Sequence, residues 1–289
     1  MNSQRPFKQR FSFEFFPPKT EVGMEKLQTV RDEFAKRNPD FFSVTYGAGG
    51  STQERTIDTV IKLHKQGIST APHLSCIGAT NETLTELLDL YKENDIRRIV
   101  ALRGDLPSGM GAHGELRYAN ELVEFIRNHS GDYFNIEVAA YPEFHPQAAN
   151  AEQDLINFKR KVDAGANSAI TQYFYNVDAY FYFLDRVETM GIDIPIVPGI
   201  MPITNYSNLV RFSDMCGAEI PRWIKKQLEA YGDDIASIKK FGEDVVTEMC
   251  ERLLDDGAPG LHFYTLNQAE PSLKIWDNLN LSGDEKIAF

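Results

Sequence analysis

The chain has 289 residues, 42% of them hydrophobic, and 42 acidic against 30 basic side chains leave it a formal net charge of -12. That length can bury one large core, while the acidity (pI ≈ 5.0) opposes nonspecific attraction to nucleic acid or an anionic membrane, so an anionic ligand has to be held by local basic groups. Three widely separated cysteines, Cys76, Cys216 and Cys250, argue against a disulfide framework and against a CxxC-type zinc or redox site.

The opening MNSQRPFKQR lacks the apolar stretch of a signal peptide, and no apolar run approaches the roughly 20 residues of a membrane span, so a cytoplasmic protein is expected. Eight apolar runs of strand length follow, at 11–16, 41–47, 70–76, 98–103, 136–141, 169–174, 194–200 and 261–266, alternating with helix-length amphipathic stretches. Such βα alternation predicts a parallel sheet closed into a (β/α)8 TIM barrel, a single domain over 1–289. In the first helical stretch Leu27, Val30 and Phe34 share one face, and Thr80 and Asn150 are placed to cap later helices. The segment 221–256 is too long for one crossover, which predicts an extra helix at Arg222–Tyr231 before the last strand; the tail after Asp277 is expected to be peripheral.

In a barrel the carboxyl ends of the strands form the active-site face. Here those ends carry Glu14, Thr45, His73, Arg103 with Asp105, Tyr141, Gln172, and Tyr264 with Asn267. Period-two geometry turns Phe11, Phe13 and Phe15 toward the helices, and Glu14 inward with Ser12 and Phe16. A buried carboxylate is costly unless paired or protonated, and burial favours the protonated form that a general acid needs near neutral pH. A pair with a lysine or arginine at the mouth is the structural alternative. Arg103 suits a phosphate and Asp105 a cationic or donor group, unless the two simply pair. The glycines of VTYGAGGST can offer backbone amides to an anion or merely make a tight turn. Tyr141 and His145 follow the fifth strand, and on the next helix Asp154, Asn157 and Lys161 share a face beside Arg160, either as a solvated surface or facing a pyrophosphate. The six histidines show no metal-ligand spacing, so no metal is expected.

The ordered blocks FEFFPPK, FFSVTYGAGGS, APHLSCI, IVALRGDLP, VAAYPEFHP, FKRKVDAGA, ITQYFY, IVPGIMPI and HFYTLN, from about 11 to 269, closely resemble 5,10-methylenetetrahydrofolate reductases of the single-domain bacterial type. The resemblance implies a flavoprotein barrel that holds FAD, takes a hydride from NADH or NADPH, and then gives one to methylenetetrahydrofolate, supplying methyl groups for methionine synthesis. Positions matching the family's flavin site are Thr45, Tyr46, Ala48, His73, Leu102, Arg103, Gly104, Asp105, Tyr118, Ala119, Tyr141, His145, Ala148, Asp154, Asn157, Arg160 and Lys161. By the same resemblance Gln172, Asn208, Phe212, Tyr264, Leu266 and Gln268 are expected at the folate and nicotinamide platform. The resemblance implies a homo-oligomer, a homotetramer in the family, and no S-adenosylmethionine-responsive extension is expected.

Two positions depart from the family pattern: Asn208 stands where enteric members carry glutamine, and the familiar LNR reads Leu266-Asn267-Gln268. Gln268 can hydrogen-bond the folate glutamate tail but cannot neutralise it. In the implied chemistry Glu14 is the acid that protonates N10 of the folate, and Asp105 stabilises the iminium cation that results. Another flavin barrel, such as a proline dehydrogenase-like amine oxidase, would use the same cofactor residues but would not explain Glu14 and Gln172 together. A noncatalytic folate-binding homologue would not require the set Glu14, Asp105 and Gln172.

Overall fold

The structure, a computed structural model, describes residues 3–46, 50–104 and 114–281, with backbone alone for 50–52. Its elements run β1 (Arg10–Phe15), α1 (Glu21–Ala35), β2 (Phe41–Val44), α2 (Gly50–His64), β3 (Thr70–Ser75), α3 (Asn81–Glu93), β4 (Arg98–Leu102), α4 (Ala119–Ser130), β5 (Asn135–Ala140) and α5 (Ala151–Asp163). There follow β6 (Ser168–Thr171), α6 (Val177–Thr189), β7 (Ile196–Val197), β8 (Gly199–Ile200), α7 (Tyr206–Cys216), α8 (Arg222–Tyr231), α9 (Ile235–Asp255), β9 (Gly260–Tyr264) and α10 (Ala269–Asn278).

All strand pairs are parallel, in the order β7-β6-β5-β4-β3-β2-β1-β9-β8. The run 194–200 forms two short strands because Pro198 between them has no N–H for the ladder. Its carbonyl still accepts from His262 N at 2.9 Å, and since β7 pairs with β6 while β8 pairs with β9, this broken stave closes the TIM barrel. Two other runs overshoot their strands by three residues: β2 ends at Val44 and β6 at Thr171. Tyr173, Phe174 and Tyr175 are buried all the same, and a buried loop reads like a strand by hydrophobicity alone. The extra helix is α8, and both capping residues act as expected, Thr80 Oγ1 accepting from Thr83 N at 3.2 Å and Asn150 Oδ1 from Gln153 N at 2.8 Å.

The main core lies between barrel and helices. Phe13 stacks on Phe34 of α1 with ring centroids 4.1 Å apart and touches Phe263 (5.3 Å) and Trp276 of α10 (5.7 Å). Each such pair adds about 0.5–1.5 kcal/mol beyond the area it buries. Inside the barrel the apolar plug is small: Phe41, Ala71, Val100 and Ile170. Below it, Arg98 pairs with Glu137 and lies over the Phe41 ring at 4.6 Å, while Glu137 also accepts from Ser168 Oγ. Above it stands Glu14. Among the described residues no helix is long and apolar enough to cross a membrane.

Candidate active site

A cavity of about 460 Å³ opens at the carboxyl ends of the strands. Val100, Leu102, Ala139 and Ile170 form its apolar floor, hydrogen-bonding groups of Thr45, Tyr141, His145, Gln147, Gln172 and Tyr264 form its walls, and Phe212, Met215 and Cys216 of α7 lie across the mouth. Strand register brings the chemistry together: Glu14 of β1 is opposite Ser43 of β2 and Tyr264 of β9, and Ser12 is opposite His262.

Glu14 is only 7% exposed, and its Oε2 lies 3.4 Å from His73 Nε2 and 3.8 Å from His262 Nε2. Among the described residues its neighbours are these histidines and no lysine or arginine is paired with it. Burial lowers the His73 pKa, against the pull of Glu14 and with the help of His262, so the imidazole is neutral at physiological pH. Nδ1 of His262 is 2.7 Å from Ser12 Oγ. The Nε2 atoms of both histidines are buried without a hydrogen bond among the described residues, which leaves two polar groups for whatever enters. Tyr264 donates its hydroxyl to Thr171 O at 2.7 Å, and burial, reinforced by the Glu14 charge, pushes its pKa well above the ordinary phenol value.

The turn after β9 fixes the backbone around the acid. Thr265 Oγ1 donates to Glu14 O at 2.6 Å, and the Asn267 carboxamide both accepts from Phe16 N and donates to Phe16 O, each at 2.9 Å. To make that clasp Leu266 (φ 50) and Asn267 (φ 57) adopt left-handed backbone, a conformation costing roughly 1–2 kcal/mol per non-glycine residue. The three polar contacts offset it.

The remaining sequence candidates fall around the rim. Arg103 donates to Gln147 Oε1 at 2.6 Å and to Gly104 O at 3.1 Å, bridging the loops after β4 and β5. Gly104 has φ +85, and a Cβ there would fall 1.9 Å from Ser75 Oγ, so this bend requires glycine. His145 meets Tyr141 edge to face at 4.6 Å; its Nδ1 accepts from Gln147 N, its carbonyl from Ala148 N, and its own N–H donates to Asp154 Oδ2 at 2.9 Å. Asn157 accepts from Arg160, whose side chain is on the exposed side of α5. Lys161 turns the other way, donating to Ala139 O at 2.5 Å, and burial pushes its ammonium pKa down to about 8 against the pull of Asp154. Tyr118 and Ala119 start α4, Tyr46 is half-buried, and Asn208 and Gln268 are exposed at the starts of α7 and α10. Ala48 and Asp105 lie outside the described residues. The sequence reading gave no site role to His262, Gln147, Met215 or Cys216, although alternation along β9 puts His262 on the same face as Tyr264.

The family model for methylenetetrahydrofolate reductase matches residues 2–280. The chain belongs to the methylenetetrahydrofolate reductase family. It is 44% identical over 272 residues to the 5,10-methylenetetrahydrofolate reductase of Escherichia coli K12, covering 93% of this chain and 90% of that one. It is also 39% identical to the methylenetetrahydrofolate reductase (NADH) 1 of Arabidopsis thaliana, covering 96% of this chain but 49% of the plant protein. Among solved structures, a Clostridium thermocellum protein described as binding two copies of 5-methyl-5,6,7,8-tetrahydrofolic acid superposes with a TM-score of 0.67 over 95% of both chains. At 18% identity that likeness concerns the fold.

Proposed function

We propose that this chain reduces 5,10-methylenetetrahydrofolate to 5-methyltetrahydrofolate, with bound FAD as cofactor and NADH or NADPH as reductant, the two substrates using the same face in turn. Family membership supports the reaction, and the observation that carries the site is Glu14, buried above the barrel plug between two histidines at the bottom of the cavity. The apolar floor, the polar rim and the orphaned histidine nitrogens suit a heteroaromatic ring system with hydrogen-bonding edges. Thr45, His73, Leu102, Tyr141 and His145 would contact the flavin, Arg103 would meet its diphosphate, and Asp154 and Lys161 would hold the loop and strand beneath it. Ala48 and Asp105 keep their proposed roles from the family match. The chemistry that FAD supplies when bound is hydride transfer, from the nicotinamide and then to the folate carbon.

The protein's own contribution is a proton and an orientation. The bridging methylene becomes electrophilic when the folate's five-membered ring opens to a 5-iminium cation, and that requires a proton on the departing N10. Glu14 supplies it. His73, neutral and 3.4 Å away, flanks the carboxyl group without competing as an acid. Gln172 and Tyr264 orient the pterin edge, and Phe212 on α7 covers its other side. We place the enzyme in the cytoplasm, as a homo-oligomer feeding methionine synthesis.

The test is spectroscopic. Purified protein, with FAD added if needed, should be yellow, bleach with NADH or NADPH under anaerobic conditions, and recolour on addition of methylenetetrahydrofolate. A folded protein that shows no flavin spectrum after FAD addition overturns the reading. A second measurement concerns the substrate tail. Gln268 is exposed beside Leu266 at the mouth, so Gln268→Arg should tighten folate binding by about 1 kcal/mol through an added charge-assisted contact, with nicotinamide-driven bleaching unchanged. Equal folate affinity in both proteins would mean that another group already supplies the cation.

A further inference from the structure

The barrel has a second cavity, of about 280 Å³, at the amino ends of its strands. Lys8 and Arg10 at its rim are exposed, whereas Ser12, Glu137, Ile170 and Val197 line its depth and are buried. Ile170 lines the active-site cavity as well, so a single layer of side chains divides the two. One hydrogen bond crosses that layer: Ser12 belongs to the basal cavity, His262 to the active-site cavity, and their Oγ and Nδ1 atoms are 2.7 Å apart. The far nitrogen of the same imidazole, Nε2, is the one 3.8 Å from Glu14 Oε2, about 1 Å beyond a hydrogen bond and within reach of a rotation of the Glu14 side chain.

The proposed reaction creates a need for such a path. Each turnover moves one proton from Glu14 to N10, at a moment when substrate and cofactor rings occupy the active-site cavity. A basal cavity of this size holds several waters at roughly 30 Å³ each, and its lining offers them polar partners. We propose that the basal cavity is the proton inlet for Glu14, reloading the acid from the opposite end of the barrel through Ser12 and His262. The inference rests on the function proposed above.

The step balances without a redox partner. His262 gives its Nε2 proton to the Glu14 carboxylate and takes the Ser12 hydroxyl proton at Nδ1; Ser12 is refilled from cavity water, which draws on bulk solvent. The sum is one proton moved from solvent to Glu14, and once the product has left, exchange of the ring with water, one proton lost at Nδ1 and one gained at Nε2, restores the starting tautomer. The other charged or titratable groups along the way are His73 and Tyr264 beside Glu14, Lys8 and Arg10 at the rim, and Glu137, which Arg98 neutralises.

Val197→Leu and Val197→Phe fill the basal cavity and leave Ser12, His262 and Glu14 as they are. FAD-loaded, prereduced protein is mixed with methylenetetrahydrofolate in weak buffer containing a pH-indicator dye, so that product formation and proton uptake are followed together. The expected result is a first turnover within about twofold of the parent, with proton uptake delayed at least about tenfold, more by phenylalanine than by leucine, and steady-state turnover falling to the delayed rate. Proton uptake at the parent rate in both variants overturns the inlet. Should the filled variants fail to fold, Ser12→Ala is compared with Ser12→Thr, which keeps the hydroxyl: slow uptake in the first and restored uptake in the second supports the route, and equal uptake overturns it. A parent protein that forms no product overturns the proposed function and the inlet together, and that outcome is visible before any variant is made.

Discussion

Glu14→Gln should slow folate-dependent reoxidation by at least about 10²-fold, the lower range for loss of a general acid, while reduction by the nicotinamide stays near the parent rate. The asymmetry follows from the chemistry: hydride transfer from a nicotinamide needs no proton at N10, and folate reduction cannot begin without one. Glutamine keeps the size of the side chain, and the bond from Thr265 goes to the backbone carbonyl, so the β1 end stays anchored. The deciding measurement is single-turnover reoxidation of prereduced holoenzyme at saturating methylenetetrahydrofolate. If the variant reoxidises at the parent rate, Glu14 is a structural carboxylate and the acid lies elsewhere.

Arg98→Met should have the largest effect on stability. The guanidinium is 13% exposed and its partner Glu137 only 3%, and removing one member of a buried ion pair strands the other charge at a cost of about 3–5 kcal/mol. For a domain of this size that is a fall of roughly 10 °C in Tm. The double variant Arg98→Met with Glu137→Gln removes both charges and keeps an acceptor for Ser168, so it should recover most of the loss. Urea denaturation of the parent, the single and the double variants checks this. A single variant as stable as the parent would mean that Glu137 is solvated or protonated at little cost.

Much of the architecture was readable before the structure because buried parallel strands are short continuous apolar runs, and helix starts carry their own chemistry in Thr80 and Asn150. Glu14 was readable by alternation, since Phe13 and Phe15 had to share the opposite face, and both are fully buried against the helices. The partners of Glu14 were harder to find. His262 bears no local spacing to any acid, and its place beside Glu14 follows from the β1–β9 register and from its bond to Ser12, 250 positions away in the chain. Helical spacing likewise put Lys161 on a face with Asp154, but could not say that its amino group would reach the backbone of β5. The seventh strand was legible as apolar and not as broken, although Pro198 was the signal for the break.

The clasp between Asn267 and Phe16 joins residues 251 positions apart. Glu14 therefore emerges from the ribosome long before Thr265, Asn267 and His262, which hold its backbone and flank its carboxyl on one side and arrive with the last strand. Until β9 is made, β1 is an open sheet edge and its acid has no fixed direction. Competence of the site and completion of the ring are therefore one event in the life of the nascent chain.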